Sequence, residues 1–246
     1  MRGLTGPELR PLDLDIKPGE ILGVTGLVGS GFGSIAYMLS GAWPAHAGRL
    51  TVRGEDVDLA DPRPTPRRLL EAGVSLVPRD RDEVGLMYDQ TISANITLPR
   101  VRTRSHALRV DRGWERSEVA TMIERLGITP PEPEMLISQL SGGNQQKVLL
   151  GKWLAGEPAL LMLHEPTQAV DVGARKDILQ ALEDAADRGT SIIVASTYAD
   201  ELSMVCDRVL VFHEGEVVAQ LGAGASEDEI IEATFRTHKD RALAGI

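Results

Sequence analysis

Gly26-Leu27-Val28-Gly29-Ser30-Gly31 stands between an apolar run, Ile21 to Thr25, and a short apolar segment, about Gly33 to Leu39. Strand, glycine loop, helix is the placement a phosphate-cradling loop requires. Its glycines let backbone N–H groups curl around an anion, and the start of the helix adds partial positive charge. The spacing G-x-x-x-x-G is met by Gly26 and Gly31, but the two positions that follow are Phe32 and Gly33 where such loops carry Lys and Ser or Thr. The missing ammonium would neutralise phosphate charge. One charge pair at ~4 Å is worth at most ~4 kcal/mol at an effective dielectric of 20, and losing half of that weakens binding by about one to two orders of magnitude. Phe32 is expected to intrude on the phosphate space, and Ser34 replaces the lost hydroxyl only if the register shifts by one residue. No Lys lies between Lys17 and Lys147 to restore the charge. Taken alone, the loop reads equally well as a structural turn.

Apolar runs and turn residues extend this unit along the chain. Leu12, Leu14 and Ile16 alternate with polar residues ahead of the turn Lys17-Pro18-Gly19-Glu20, so two strands are expected around it. Strands are expected at 48–54, 74–77, 159–163, 191–196, 208–213 and 216–221, and helices at 66–72 and 172–187. Residues 91–126 read mainly as helix, interrupted by the Arg-rich stretch 100–112, which reads as a solvated face or loop. A Ser-capped helix is expected at 226–235. Strand–helix alternation at both ends with a helical insert between them implies an α/β sheet carrying an inserted helical subdomain.

With 42% hydrophobic and 25% charged residues, the 246-residue chain can bury a full core, which excludes a disordered or fibrous chain. No apolar stretch approaches the ~18 residues of a membrane span, and the N-terminus lacks a secretion signal, so an intracellular protein is expected. A net charge of −10 argues against broad nucleic-acid binding. The single Cys206 excludes an internal disulfide and reads as a buried filler.

A second string is far more specific. Leu140-Ser141-Gly142-Gly143-Asn144-Gln145-Gln146-Lys147 opens a helix. A hydroxyl, two glycines and a helix start suit close approach to an anion. The string resembles the signature motif of ATP-binding-cassette (ABC) ATPases, in the form common among the ATP-binding subunits of bacterial sugar importers. Other segments extend the resemblance over nearly the whole chain. Leu160 to Thr167, with His164 and Glu165, resembles the Walker B strand and its catalytic glutamate. Ala169 to Ala174, with Asp171, resembles the D-loop. Arg79 stands at the Q-loop position and Thr197 at the H-loop position. The match is closest to the second, C-terminal cassette of a tandem subunit, where the phosphate loop often lacks its lysine.

The resemblance implies a P-loop NTPase core with an N-terminal antiparallel β-subdomain. Residues 1–90 and 156–225 would form the core, 91–155 a helical subdomain, and 226–246 a C-terminal helix and tail. It implies ATP and Mg²⁺ as cofactors. Its partners would be an intact second cassette (fused or separate), membrane permease subunits and, indirectly, a sugar-binding protein. The setting would be cytoplasmic, on the inner face of the cell membrane. Residues 79–98 lie where the family receives the permease. Whether the chain is half of a tandem subunit or separately encoded stays open.

Against that pattern, Phe32 and Gly33 replace Lys and Ser/Thr, His164 replaces the Walker B Asp, Arg79 the Q-loop Gln, and Thr197 the H-loop His. The usual adenine-stacking aromatic is absent before Phe32. An imidazole is a poor ligand for Mg²⁺, so no metal site is assigned. Glu165 survives, either as a general base or as a brace for the Pro166 turn. The departures fall on elements that would hold the chain's own ATP, from Gly26, Leu27, Val28, Gly29, Ser30 and Gly31 to Ser34. Ser141, Gly142, Gly143, Asn144 and Gln145, which serve a partner's ATP in this family, keep its pattern. The leading expectation is a cassette that completes a neighbour's site while its own is weak or silent. The alternatives are a self-sufficient ATPase working through Ser34 and Glu165, and a nucleotide-free structural or regulatory module.

Overall fold

The computed structural model describes residues 1–61, 66–104 and 112–243. Strands β1 (Arg2–Gly6), β2 (Leu9–Leu12), β4 (Ala47–Val52) and β5 (Glu55–Asp58) form one antiparallel sheet in the order β2-β1-β4-β5. The second sheet runs β10-β9-β3-β8-β7-β6, from β3 (Ile21–Gly26), β6 (Val74–Val77), β7 (Leu160–His164), β8 (Ser191–Ala195), β9 (Arg208–His213) and β10 (Glu216–Leu221). Its strands are parallel except β10, which folds back on β9 through Glu214 and Gly215, both at positive φ. That is the backbone a two-residue hairpin turn demands.

The larger sheet is buried on both faces, as near-continuous apolar strands require. Leu161, Leu163, Ile192 and Val194 point into one core, with the helices. Their neighbours Leu160, Met162, Ile193 and Ala195 point into a second core under the antiparallel sheet. Helices α1 (Ser34–Leu39), α2 (Pro66–Glu71), α7 (Val172–Asp187), α8 (Ala199–Val205) and α9 (Glu227–Leu243) belong to the strand-bearing segments. Between β6 and β7 lie α3 (Ile92–Thr97), α4 (Val101–Arg104), α5 (Arg112–Leu126) and α6 (Gly142–Leu154). This is the α/β core with antiparallel β-subdomain and helical insert that the sequence implies.

Three local expectations are corrected. The strands flanking Lys17–Glu20 do not pair: β2 joins β1, and the chain then crosses to the other sheet to begin β3. The segment expected as one strand at 48–54 ends at a turn and returns as β5. Arg100 is not a solvated residue. Its guanidinium pairs with Glu118 and donates to the Ile96 and Lys152 carbonyls, and the paired side chains are only 13% and 15% exposed. Residues 105–111 of that Arg-rich stretch lie outside the described residues. Cys206 is a filler as expected. It packs beneath Gly23 of β3, and burial pushes its thiol pKa far up, so it stays protonated. Among the described residues no helix is long and apolar enough to cross a membrane.

Candidate functional site

The glycine loop leaves β3 at Gly26 and turns through Gly29 and Gly31, both at positive φ, before α1 begins. Phe32 does not intrude on the loop: its ring is buried in the core under the antiparallel sheet. Ser34 is not free to act for the missing hydroxyl, because its Oγ donates to the Gly31 carbonyl at 2.7 Å. Ser30 is buried with a hydroxyl that has no partner among the described residues. The first two lysines that follow the loop in sequence are committed elsewhere. Lys147 binds the Gly127 carbonyl (3.0 Å) and Asp177 (2.5 Å), and Lys152 binds the Gly85 carbonyl (2.7 Å).

His164, the last residue of β7, stands against the loop. A Cβ on Gly33 would lie 3.0 Å from its Nε2 and 3.1 Å from its Cε1, so the glycine is what lets the imidazole sit there. The ring meets Phe32 and Tyr37 edge-on, at centroid distances of 6.3 and 5.5 Å, and Tyr37 stacks on Trp43 at 4.4 Å. Burial holds the His164 pKa below the ordinary histidine value, so the ring is neutral near pH 7. The Arg79 N–H donates to Tyr37 Oη at 3.2 Å, which leaves the phenol its own proton for His164 Nδ1, 3.1 Å away. Arg79's guanidinium points to Gln168 Oε1 (3.0 Å).

Glu165 follows in the left-handed region, φ 50°, with its side chain buried. Its Oε1 accepts from Thr197 N (3.0 Å) and Thr197 Oγ1 (2.9 Å), and its Oε2 from Ser196 Oγ (3.2 Å). Behind it lies Glu201, which sequence reasoning passed over because an acid in the first turn of a helix ordinarily reads as a solvated dipole partner. It is fully buried, and its Oε2 lies 2.9 Å from Ser196 Oγ and 3.2 Å from Thr167 Oγ1. Burial pushes its pKa up to about 7, against those hydrogen bonds. One hydroxyl proton cannot serve two carboxylates. Ser196 Oγ lies within reach of both carboxylates and accepts from the Tyr198 N–H (3.1 Å), so its proton serves one of them at a time, and both bonds are satisfied together only when Glu201 carries a proton.

The signature residues form a second group. Ser141 caps α6, its Oγ accepting from Asn144 N (3.4 Å) and Nδ2 (3.0 Å), and it is exposed. Asn144 Oδ1 accepts from Thr129 N at 2.8 Å, while Gln145 Nε2 donates to the Ile137 and Leu140 carbonyls. Gly143 is obligatory: a Cβ there would lie 2.6 Å from Ala174 Cβ and 3.0 Å from Asp171 Oδ2. Asp171 caps α7 by accepting from Ala174 N at 2.9 Å, and that bond first among several holds its carboxyl below the usual range. The starts of α6 and α7 therefore pack directly on each other, with Ser141 facing solvent. Arg81, two residues past the Q-loop position, lies alongside Gly142, its NH2 3.2 Å from where a Cβ would stand.

Residues 9–168 match the ABC transporter family, and the chain belongs to it. It is 38% identical over 220 residues to the ribose import ATP-binding protein of Geobacillus kaustophilus, covering 89% of this chain and 44% of the relative. Identity to a ribose import ATP-binding protein of Rhizobium johnstonii is also 38%, over 244 residues, 98% of this chain and 47% of that one. The chain thus spans about half the length of these relatives. Among solved structures, an ATP-binding cassette in its ADP conformation superposes with a TM-score of 0.78 at 17% identity, covering 100% of this chain and 97% of that one. A dimeric cassette bound to ADP and Pi gives 0.75 at 20% identity, covering 90% and 98%. At such identities the likeness speaks for the fold, an ABC ATPase cassette.

Proposed function

We propose that this chain is a nucleotide-binding cassette of a sugar importer that lends its signature helix to the ATP of a partner cassette and holds none, or only weakly, at its own loop. The observation that carries this reading is the contrast between the two groups of residues. At the signature, Ser141 is capped and exposed, and Gly143 and Asp171 fit closely. At the loop, Gly33 has no hydroxyl, Ser34's is spent on Gly31, and a neutral imidazole stands at the Walker B position. That donor set does not fit Mg²⁺, which prefers hard oxygen ligands in octahedral array. Glu165, enclosed by Thr197 and Ser196, acts as a brace for the turn after β7.

In this reading residues 91–155 form the helical arm that carries the signature. Residues 79–98 face the permease, which the exposed Val84 and Leu98 support. The chain then works at the cytoplasmic surface of the membrane without entering it. ATP hydrolysis takes place on the partner's machinery: Ser141 supplies its hydroxyl and Gly142 and Gly143 their backbone N–H groups to the γ-phosphate, while the Asn144 and Gln145 amides hold the start of the helix in shape. The test is reconstitution with an intact cassette from a related importer. The wild-type chain should raise ATPase activity and Ser141→Arg should abolish the gain, while calorimetry on the chain alone should show no sub-millimolar, Mg²⁺-dependent ATP binding. No rescue by the wild-type chain, or tight Mg-ATP binding by it alone, refutes the proposal.

A further inference from the structure

A cavity of about 890 Å³ opens at the end of the larger sheet where β7 and β8 begin, opposite to the end from which the glycine loop departs. It lies between the antiparallel sheet, the crossing segment 14–18 and the ends of α5, α6 and α7. Its volume is within the range of small-molecule sites, ~300–1,000 Å³. Nothing in the nucleotide reading uses it.

The floor is apolar, with Leu14, Leu39, Leu50, Leu154, Leu160 and Ile193 lining it. The rim is cationic: Arg2, Arg53, Arg125 and Arg188 against two acids, Asp15 and Glu157, in a chain whose net charge is −10. Two of the arginines are engaged. Arg2 pairs with Asp15 at 2.7 Å, and Arg53 donates to the Glu157 carbonyl at 3.2 Å. The side chains of Arg125 and Arg188 make no hydrogen bond or ion pair among the described residues. They instead repel each other. Burial and then Arg188 hold the Arg125 guanidinium below the ordinary arginine value, and Asp184 and Glu157 offset this only in part. Two mutually repelling guanidiniums at the mouth of an apolar cleft are relieved by one shared anion, for which Arg's planar fork is suited.

We infer that this cleft is a second ligand site, distinct from the nucleotide loop, for a small amphipathic anion: a carboxylate or phosphate head held between Arg125 and Arg188 with a hydrocarbon body on the Leu-lined floor. The cationic rim selects the head and the apolar floor selects the body, so neither part alone binds as well. This site rests on none of the signature or loop residues.

The test is isothermal calorimetry of the whole chain with octyl phosphate below its micellar concentration, alongside inorganic phosphate and monomeric octyl glucoside. Octyl phosphate should bind one to one, and each of the other two should bind at least about tenfold more weakly. Arg125→Ala with Arg188→Ala, both at exposed positions, should weaken octyl phosphate about tenfold or more with the circular dichroism spectrum unchanged. Leu50→Gln, on the floor, should weaken octyl phosphate and leave inorganic phosphate as it was. The inference is overturned by an absence of saturable binding, by inorganic phosphate or octyl glucoside matching octyl phosphate, or by a double variant that binds like wild type.

Discussion

Gly33→Ala changes sign with its background if His164 occupies the room described above. Gly33 has φ −68° and ψ −28°, ordinary helical values at which alanine should stabilise by about 0.5–1 kcal/mol through the unfolded chain. In this protein the new Cβ meets His164 Nε2 at 3.0 Å and Cε1 at 3.1 Å. The imidazole has little freedom to give way, being held at Nδ1 by Tyr37 Oη and met edge-on by Phe32 and Tyr37. Overpacking of this kind costs about 1–3 kcal/mol, so the net effect in the wild-type chain is destabilisation by about 0.5–2 kcal/mol. His164→Ala alone loses the Tyr37 hydrogen bond and leaves a void, about 2–3 kcal/mol. In that background the clash is gone, and Gly33→Ala should stabilise by about 0.5–1 kcal/mol. Urea unfolding of the four proteins gives the cycle, whose coupling should be about 1–3 kcal/mol. Additivity to within ~0.5 kcal/mol, or a stabilising Gly33→Ala in the wild-type chain, refutes the reasoning.

Two further outcomes follow from buried charge. Glu201's pKa is raised on folding from 4.5 to about 7, so between those values the folded chain binds more protons than the unfolded one and stability falls as pH rises. Glu201→Gln should remove that slope, gaining up to about 3 kcal/mol relative to wild type at pH 8 and little at pH 4, measured by denaturant midpoints across the range; an unchanged slope refutes the assignment. Arg100→Leu should destabilise by about 3 kcal/mol because it strands Glu118 in a nearly closed site, whereas Arg100→Leu with Glu118→Leu should cost distinctly less, as thermal unfolding will report.

What could be read beforehand was whatever a short stretch of chain decides for itself. Residues 172–187 carry their own cap and apolar stripe and fold as α7 over just that span. The loop after β3 and the Ser141 cap are likewise local backbone chemistry. The failures are of a different physical kind. β1 and β5 each bury one side chain, Leu4 and Val57, so neither leaves a periodic trace, and partners found only in three dimensions make them strands. His164 and Tyr37 are 127 positions apart, Arg100 and Glu118 are joined across a segment that reads as polar, and Glu201's burial depends on Ser196 and Thr167 arriving from two other elements. A residue's letter says which chemistry is available, and only packing says whether that chemistry is free.

That distinction bears on how the proposed asymmetric cassette would hold together. The departures at the loop are paired: Gly33 makes room for His164, and Thr197 turns both its N–H and its hydroxyl onto Glu165. A carboxylate that must align an incoming water needs free lone pairs and freedom to turn, and three of Glu165's roughly four lone-pair sites are already filled by donors from its own chain. A serine at Gly33 still meets the imidazole, and an aspartate at His164 loses the Tyr37 contact without gaining a hydroxyl partner. Each substitution is stabilised by another, so single reversions toward an ATP-holding loop are opposed by packing before any chemistry is regained. The signature carries no such compensation. Gly143 and Asp171 retain the close fit between the starts of α6 and α7, and Ser141 remains exposed, which is the condition in which a helix start can still meet a neighbour's phosphate.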